Sequence, residues 1–408
     1  MPLSARKENY LAPSQRLNQF VAWMFAWSFL FIFIDAPRLY AIQFNFKYPP
    51  RLTESQVAEL GKRALPVTLL NARGFIITPS PQPPSYLDPN SGDSYDATVY
   101  GYIDNPILGV TPRFAAHCSR LADLPLARKT VNLLLLLWSE VHTRLGLDHN
   151  LNNRVVQVWL TRDGPAGGEE SDGQVFLTGI LHPRIPAEWI REIAHEYGHL
   201  MLASPSGYSK PESWANGVLG ERLFIHWLEQ DVENKKINAA SLPFGGLNDL
   251  KYYSTRQVNP LIAQAEAAGI SERILAGHNL AAFNAFTELI LVIDQQFGSH
   301  VLKSMQYDMP TLNGSPLTAF DYERSLFTVL STRNEFEINL PFDLSRMALL
   351  LPKGKWRVNG PSTDIESSKP RPTFQLNRGN VVTIPSDGWY ILKWRKSSNP
   401  GRLILRKL

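Results

Sequence analysis

One short stretch of the sequence constrains the fold more than any other. Residues 191–200 read R-E-I-A-H-E-Y-G-H-L, so His195 and His199 stand four residues apart and flank Glu196. In a helix, positions i and i+4 lie on the same face, which would direct both imidazoles to one point. H-E-x-x-H is typical of zinc sites in which the glutamate is the general base toward a metal-bound water. The sequence therefore predicts a helix that holds one zinc ion per chain, the alternative being an ordinary amphipathic helix.

The composition is that of an ordinary globular protein. Of the 408 residues, 44% are hydrophobic and 19% are charged, which is enough apolar material for two or three domains. The net charge of +4 is small, and the basic residues are scattered except near the C-terminus, so we expect no nucleic-acid partner. The single cysteine, Cys118, excludes an intramolecular disulfide and a cysteine-rich zinc knuckle.

The N-terminal region has the pattern of an export signal. Arg6, Lys7 and Arg16 precede an unbroken apolar run at residues 20–34. A basic segment followed by an apolar one is typical of signal peptides, and the run is shorter than the roughly 20 residues that cross a bilayer upright. No clean cleavage site follows it. We expect residues 1–41 to be a signal peptide or a transmembrane signal anchor, so that the protein is extracytoplasmic and either secreted or held at the membrane.

Secondary-structure patterns divide the rest of the chain into three regions. Residues 42–120 contain strand-like runs and a loop rich in Pro and Ser. Residues 121–330 combine a long apolar helix, two strands, the motif helix and further helices. From 335 to 408, short alternating runs separated by turn pairs predict a small antiparallel β-domain. The fold class predicted from these patterns is α+β.

The middle region provides the predicted surroundings of the motif helix. A helix candidate over 123–145 has an almost wholly apolar centre, and Pro186 stands where it could begin the motif helix. Strands are predicted at 154–160 and 174–181, with a loop rich in Gly, Asp and Glu at 163–173 between them. We expect strand 174–181 to lie at the sheet edge, where an extended peptide could pair with it main chain to main chain.

A catalytic zinc site usually has a third protein ligand. A further histidine at the spacing of the extended metzincin motif is absent. The next predicted helix, over about 213–230, offers Glu221 and, near its polar end, Glu229, and Glu212 lies at or before its start. Only Glu221 shares the apolar face of this helix, where a carboxylate without a cation would be costly. The sequence therefore predicts Glu221 as the third ligand, the alternative being an arginine partner or a surface position.

H-E-Y-G-H followed by a glutamate about one helix and loop later resembles the gluzincin metallopeptidases, the group that contains thermolysin and aminopeptidase N-like enzymes. The likeness covers roughly residues 120–310 and includes a later helix over 281–297. It implies a zincin-like metallopeptidase core, with a mixed sheet and a mainly helical C-terminal lobe, here followed by the small all-β domain. It also implies zinc-dependent hydrolysis of a peptide or protein substrate.

The sequence departs from this group in two elements. Many members carry Trp-x-x-Glu-Gly with that glutamate as a ligand, whereas Trp214 is followed by Ala-Asn-Gly and Asn216 stands close to the glutamate's position. No element like G-A-M-E-N, which would capture a free substrate amine, is present. Aminopeptidase activity is therefore not expected.

The predicted mechanism assigns the proton transfers to Glu196. A tyrosine or histidine should also stabilise the developing oxyanion, and we rank His278 ahead of Tyr208, Tyr252 and Tyr253. One alternative is a non-catalytic zincin-like surface or scaffold protein, although an inactive site would have no use for Glu196. A second alternative is a zinc hydrolase that acts on a bond other than a peptide.

Overall fold

The computed structural model describes residues 64–78, 86–87, 94–105, 109–148, 155–308, 317–340, 346–359, 363–367, 374–376, 381–394 and 402–408. The apolar run at 20–34, from which we predict export, lies outside the described residues. No helix in these ranges is both long and apolar enough to cross a membrane. The prediction of a transmembrane protein is therefore wrong for the part of the chain that the structure describes.

A seven-stranded mixed sheet is the main β-structure of the N-terminal half. The strands before the motif helix are β1 (Leu65–Thr68), β2 (Arg73–Ile77), β3 (Tyr86–Leu87), β4 (Ser94–Tyr95), β5 (Ala97–Asn105), β6 (Gly109–Cys118), β7 (Val156–Leu160), β8 (Gly167–Ser171) and β9 (Gln174–Thr178). The order in the seven-stranded sheet is β1-β2-β5-β6-β7-β9-β8, and β3 pairs with β4. The pairs β6/β7 and β7/β9 are parallel, and the others are antiparallel.

The edge of this sheet differs from the prediction. Strand β9 lies between β7 and β8, so the edge strand is β8, in the segment predicted as a loop, and not the strand at 174–181. Strand β8 reads G-G-E-E-S and pairs with β9 through a two-residue turn at Asp172 and Gly173, both with positive φ. Asp-Gly is a preferred sequence for such hairpin turns. The alternation rule missed β8 because it has no large apolar residue.

Helices cover one face of the sheet and build the second lobe: α1 (Leu124–Leu145), α2 (Pro186–Met201), α3 (Asn216–Glu233), α4 (Leu247–Gln257), α5 (Asn259–Ala268), α6 (Glu272–Leu275), α7 (Leu280–Phe297), α8 (Ser299–Asp308) and α9 (Ala319–Thr332). Helix α1 packs on β5 and β6, and its central leucines are buried. A Cβ atom at Gly101 would lie 2.6 Å from Val131 Cγ1, which shows how closely helix and strand approach. The long helix predicted over 123–145 is confirmed.

The chain after α9 forms two four-stranded antiparallel sheets from β10 (Glu335–Asn339), β11 (Arg346–Leu351), β12 (Gly354–Asn359), β13 (Thr363–Ser367), β14 (Phe374–Leu376), β15 (Val381–Ile384), β16 (Gly388–Trp394) and β17 (Arg402–Lys407). Their orders are β10-β17-β12-β15 and β11-β16-β13-β14. Strand β11 packs on α5, and Gln296 of α7 donates a hydrogen bond of 2.8 Å to the carbonyl of Ala348. The fold is thus mixed α and β, with antiparallel structure at the C-terminal end as predicted.

Candidate metal centre

Helix α2 brings the two motif histidines side by side. Pro186 begins the helix, and the Glu188 carboxylate accepts a hydrogen bond from the Ile185 N–H, which satisfies an end that the helix itself leaves open. One face of the helix is apolar and buried in the core. The rings of His195 and His199 lie on another face with their centroids 5.0 Å apart. The predicted helix and the shared face of the two histidines are confirmed.

Glycines let α3 approach α2 closely at this point. A Cβ atom at Gly198 would lie 2.5 Å from the Asn216 carbonyl oxygen, so the two backbones are in contact. A Cβ atom at Gly217 would lie 2.5 Å from His195 Nε2 and 2.4 Å from His199 Nε2. Even alanine at this position would therefore occupy the space beside both Nε2 atoms.

A glutamate completes a three-residue cluster at these nitrogens, but it is Glu212. Its Oε2 lies 3.1 Å from His195 Nε2 and 3.5 Å from His199 Nε2. Its Oε1 accepts a hydrogen bond of 3.3 Å from the N–H of Val218 in the first turn of α3. One ligand atom from each of His195, His199 and Glu212 lies within 4.8 Å of the others, which is the proximity that a shared metal ion requires.

Glu221, the ligand predicted from the sequence, lies on the other side of His195. Its Oε2 is 3.1 Å from His195 Nδ1, and its Oε1 accepts a hydrogen bond of 2.7 Å from the Tyr253 hydroxyl. Arg191 Nη1 lies 3.4 Å from the same carboxylate. We therefore correct the prediction: Glu212 meets both histidines at Nε2, and Glu221 supports one of them at Nδ1. Glu221 is buried as predicted, but protein donors compensate its charge.

Asn216 supports the second histidine in the same way. Its Oδ1 lies 2.8 Å from His199 Nδ1, and its Nδ2 donates to the carbonyls of His199 and Leu202. An acceptor at Nδ1 fixes the proton there and leaves Nε2 free to bind a metal. The sequence singled out Asn216 only as a departure from a motif. The signal for its role is its place at the first position of α3, where its side chain can reach the end of α2.

The donor set fits a zinc ion. Two imidazole nitrogens and one carboxylate oxygen form a frequent ligand set of catalytic zinc, and the partners at Nδ1 are those that usually orient zinc-bound histidines. The missing side chain at Gly217 leaves space next to both Nε2 atoms. The donor set, the partners at Nδ1 and the space beside Gly217 all indicate the same position for a metal ion, next to the two Nε2 atoms.

The electrostatics of the cluster also match a cation. Burial lowers the pKa of His195, but hydrogen bonds to Glu212 and Glu221 dominate and raise it to about 10. The pKa of His199 is raised as well, against its burial, by the hydrogen bond to Glu212. Burial raises the pKa of Glu212, but the two histidines bring it down to about 2. Without a metal, the cluster therefore retains protons that a zinc ion would have to displace.

Glu196 lies between the histidines and the edge of the sheet. It is only 5% exposed, and it forms no hydrogen bond or ion pair with the residues that the structure describes. Burial raises the pKa of its carboxyl to about 7, although His195 and His199 act in the opposite direction. A Cβ atom at Gly168 of β8 would lie 2.7 Å from Glu196 Oε1. The carboxylate is therefore packed directly against the edge strand.

Of the four oxyanion candidates, the structure brings only Tyr253 to the centre, and there it donates to Glu221. The carbonyl of His278 accepts a hydrogen bond from the Ser209 N–H, and its ring lies 6.4 Å from that of Tyr208. The contacts described for His278 and Tyr208 do not include the metal cluster. Tyr252 is 47% exposed and stacks with Arg256. An oxyanion role for His278 thus stays a prediction without structural support.

Comparison with known proteins adds no assignment. Neither a known protein family nor a curated protein matches the sequence. The function must therefore be inferred from the chemistry of the residues around His195 and His199, because a fold alone does not define an activity.

Proposed function

We propose that the chain is a zinc-dependent peptidase with a zincin-like, gluzincin-type core. In this proposal His195, His199 and Glu212 hold the metal, and Glu196 is the general base. The observation that carries it is the position of Glu196 between the three-residue cluster and the sheet edge, where its buried carboxylate has no hydrogen-bond or ion-pair partner among the described residues. A buried carboxylate of this kind costs stability, which is typical of a group retained for chemistry.

In the proposed site, three residues bind the metal and two others orient the histidines. Three protein ligands leave one coordination position open, as catalytic zinc sites do. A zinc ion bound there would supply the Lewis acidity that activates water and polarises a carbonyl. Glu221 and Asn216 hold the rings of His195 and His199 so that both Nε2 atoms face the same point.

The raised pKa of Glu196 supports a role in proton transfer at neutral pH. A carboxyl with a pKa near 7 can accept a proton from water and then release it to a leaving group without a large energetic penalty in either direction. Among the described residues, none forms a hydrogen bond or an ion pair with its carboxylate, so no such bond has to break before Glu196 meets a substrate. A non-catalytic scaffold would have no need for such a group.

The edge strand favours a peptide as the substrate. Strand β8 has a neighbour on one side only in the described sheet, so its outer main-chain groups can pair with an extended peptide. Gly168 brings this edge into contact with Glu196, so a peptide that extends the sheet would pass close to the base. Main-chain pairing of this kind recognises the peptide backbone, which distinguishes this substrate from compounds that lack one.

The proposal is tested by replacing the base and leaving the ligands intact. Glu196→Gln should retain about one equivalent of zinc and lose hydrolysis of an unfolded protein such as casein by at least about 100-fold. Glu188→Gln is the matched control on the same helix, because glutamine can also accept the capping hydrogen bond from Ile185. Full activity of zinc-loaded Glu196→Gln would overturn the assignment of the base.

A further inference from the structure

A cavity of about 300 Å³ lies at the N-terminal end of α2, apart from the metal ligands. Its lining includes Pro125, Leu126 and Lys129 from α1, Arg184 and Trp189 around the start of α2, and Phe244 from the loop before α4. We propose that this cavity binds carboxylates that carry an apolar or aromatic group. The proposal does not depend on the peptidase assignment.

The walls of the cavity suit a flat apolar group. The rings of Trp189 and Phe244 are stacked, with centroids 5.8 Å apart and planes at 16°. Both side chains are buried, so their positions are fixed by the core. Pro125 and Leu126 add aliphatic surface. Small-molecule sites are usually concave and mostly apolar, with a few polar groups that orient the ligand.

Two cations supply the polar groups. The Arg184 guanidinium lies 4.3 Å from the centre of the Trp189 ring, and Lys129 Nζ lies 5.8 Å from that of Phe244. Arg184 Nη2 donates to the Thr178 carbonyl at 2.5 Å. Arg184 Nη1 is buried and has no hydrogen-bond acceptor in the part of the chain that the structure describes.

Among the described residues that line the cavity, none carries a carboxylate to balance these charges. The acidic groups that affect Arg184 electrostatically are Glu188 and Glu192. Glu188 accepts the capping hydrogen bond from Ile185, and Glu192 pairs with Arg191 at 2.6 Å. The described lining of the cavity therefore combines two positive charges with apolar side chains.

A carboxylate with an apolar group matches this arrangement. Guanidinium groups bind carboxylates through charge-assisted hydrogen bonds, and Arg184 lines the cavity. The apolar part of the ligand would pack against Trp189 and Phe244, and Lys129 would add a second positive charge. The same chemistry is found in free aromatic acids and in the C-terminal residue of a peptide.

Calorimetric titration of the full-length protein tests the proposal. Phenylacetate should bind at least about tenfold more tightly than phenylacetamide, which has the same shape without the charge. N-acetylphenylalanine and its amide test the peptide source: preference for the acid means that a peptide C-terminus can also occupy the cavity. Binding of phenylacetate should persist after zinc is removed with a chelator, and its loss would place the ligand at the metal centre and overturn the proposal.

Two variants locate the binding site. Arg184→Gln and Lys129→Gln should each weaken phenylacetate binding by at least about threefold, and Lys129 is exposed, so its replacement leaves the fold intact. Arg128→Gln is the matched control on α1, because Arg128 donates to Thr78 instead of lining the cavity. Equal binding of the acid and the amide, or unchanged binding in both cavity variants, would contradict the proposal.

Discussion

The proposed metal centre has two halves that the fold holds in different ways. His195, Glu196 and His199 lie on α2, where the helical repeat alone determines how they are spaced. Glu212 lies on the connection between α2 and α3, where the single bridge between Ser206 and Trp214 is the only β-pairing described. Its position depends on the Val218 N–H and on the two histidines. Geometry within a helix can be derived from the sequence, whereas geometry in a loop depends on contacts that the loop makes after folding.

The two glutamates around His195 teach a related lesson. The Glu221 side chain is 9% exposed and interacts with three protein partners, whereas Glu212 is 24% exposed and faces both Nε2 atoms. The more buried carboxylate is therefore the supporting one. Burial alone indicates that a charge needs compensation, and it does not distinguish a metal from an arginine, a tyrosine and a histidine.

Substitution of the two histidines on α2 should have the largest effect on zinc binding. His195→Ala and His199→Ala each remove one of three ligands and leave Glu212 with one histidine, so stoichiometric zinc should be lost and hydrolysis with it. Zinc content of the purified protein, measured by elemental analysis, checks this prediction. His182→Ala is the control, because His182 is exposed and bonds to the Gly164 carbonyl. A full equivalent of zinc in both ligand variants would disprove the site.

Substitution of Glu212, in the connection between α2 and α3, should have the second-largest effect on zinc binding. Glu212→Gln should lower zinc affinity by more than Glu221→Gln, for which a loss of about 10- to 100-fold is expected of a group that orients a ligand. Glu229→Gln, farther along α3 and outside the cluster, should have no effect. Competition with a chelating dye measures all three affinities. If Glu221→Gln proved the more damaging substitution, the assignment based on Nε2 and Nδ1 would be reversed.

Prediction from the sequence succeeded where structure is determined locally and failed where it depends on contacts between segments. The period of 3.6 and the proline at Pro186 predicted α2, and a continuous apolar run predicted α1, because these are local properties. Strand β8 was missed because its pairing is determined by β9 and by the turn at Asp172 and Gly173. That Asp-Gly pair was the signal in the sequence that pointed to a hairpin.

The position of Glu212 beside both Nε2 atoms could not be derived from the sequence for a physical reason. We predicted the following helix from about residue 213, whereas α3 begins at Asn216. Glu212 lies before the helix with either boundary, and the three further residues of connection let the chain fold back toward α2. The helical phase of Glu221 was assigned correctly, as its burial shows. Phase does not specify which atom of His195 a carboxylate meets, since this depends on the close packing of Gly198 against α3.

The pH dependence of zinc affinity tests how Glu212 acts on the helix-borne histidines, because the hydrogen bond to Glu212 raises the pKa of His195. With its pKa raised from 6.5 to about 10, His195 stabilises the metal-free protein fully below pH 6.5, and this contribution is lost as the pH rises through 10. Zinc must displace that proton, so its affinity should increase about tenfold per pH unit between pH 7 and 9. In Glu212→Gln the increase should level off at lower pH.

Calorimetry in two buffers with different heats of ionisation measures the number of protons released. Release of at least about one proton per zinc at pH 8 is expected for the native sequence, because the pKa of His199 is raised as well as that of His195. The variant Glu212→Gln should release fewer, since the hydrogen bond that His195 donates to Glu212 contributes most to the raised pKa of His195. Zinc binding without proton release at this pH would show that His195 is neutral in the metal-free protein, contrary to the expected coupling.

The smallest effect on zinc binding is expected from substitution of Tyr253, which is connected to the proposed metal site only through Glu221 and His195. Its hydroxyl donates to Glu221 Oε1 at 2.7 Å, and Glu221 in turn holds Nδ1 of His195. Tyr253→Phe removes a hydrogen bond to a charged group in a buried position, so the free energy of unfolding should fall by about 1.5 to 3 kcal/mol. Zinc affinity should decrease by less than in Glu221→Gln, because Arg191 still contacts the Glu221 carboxylate.

The neighbouring tyrosine provides the matched control for this substitution. Tyr252 is on the same helix α4 but is exposed and stacked with Arg256, so Tyr252→Phe should change neither stability nor zinc affinity. Chemical denaturation and chelator competition measure both properties on the same samples. If Tyr253→Phe lowers stability and leaves zinc affinity equal to that of Tyr252→Phe, the tyrosine stabilises the fold only. A decrease in both would show that Tyr253 of α4 helps to position His195 through Glu221.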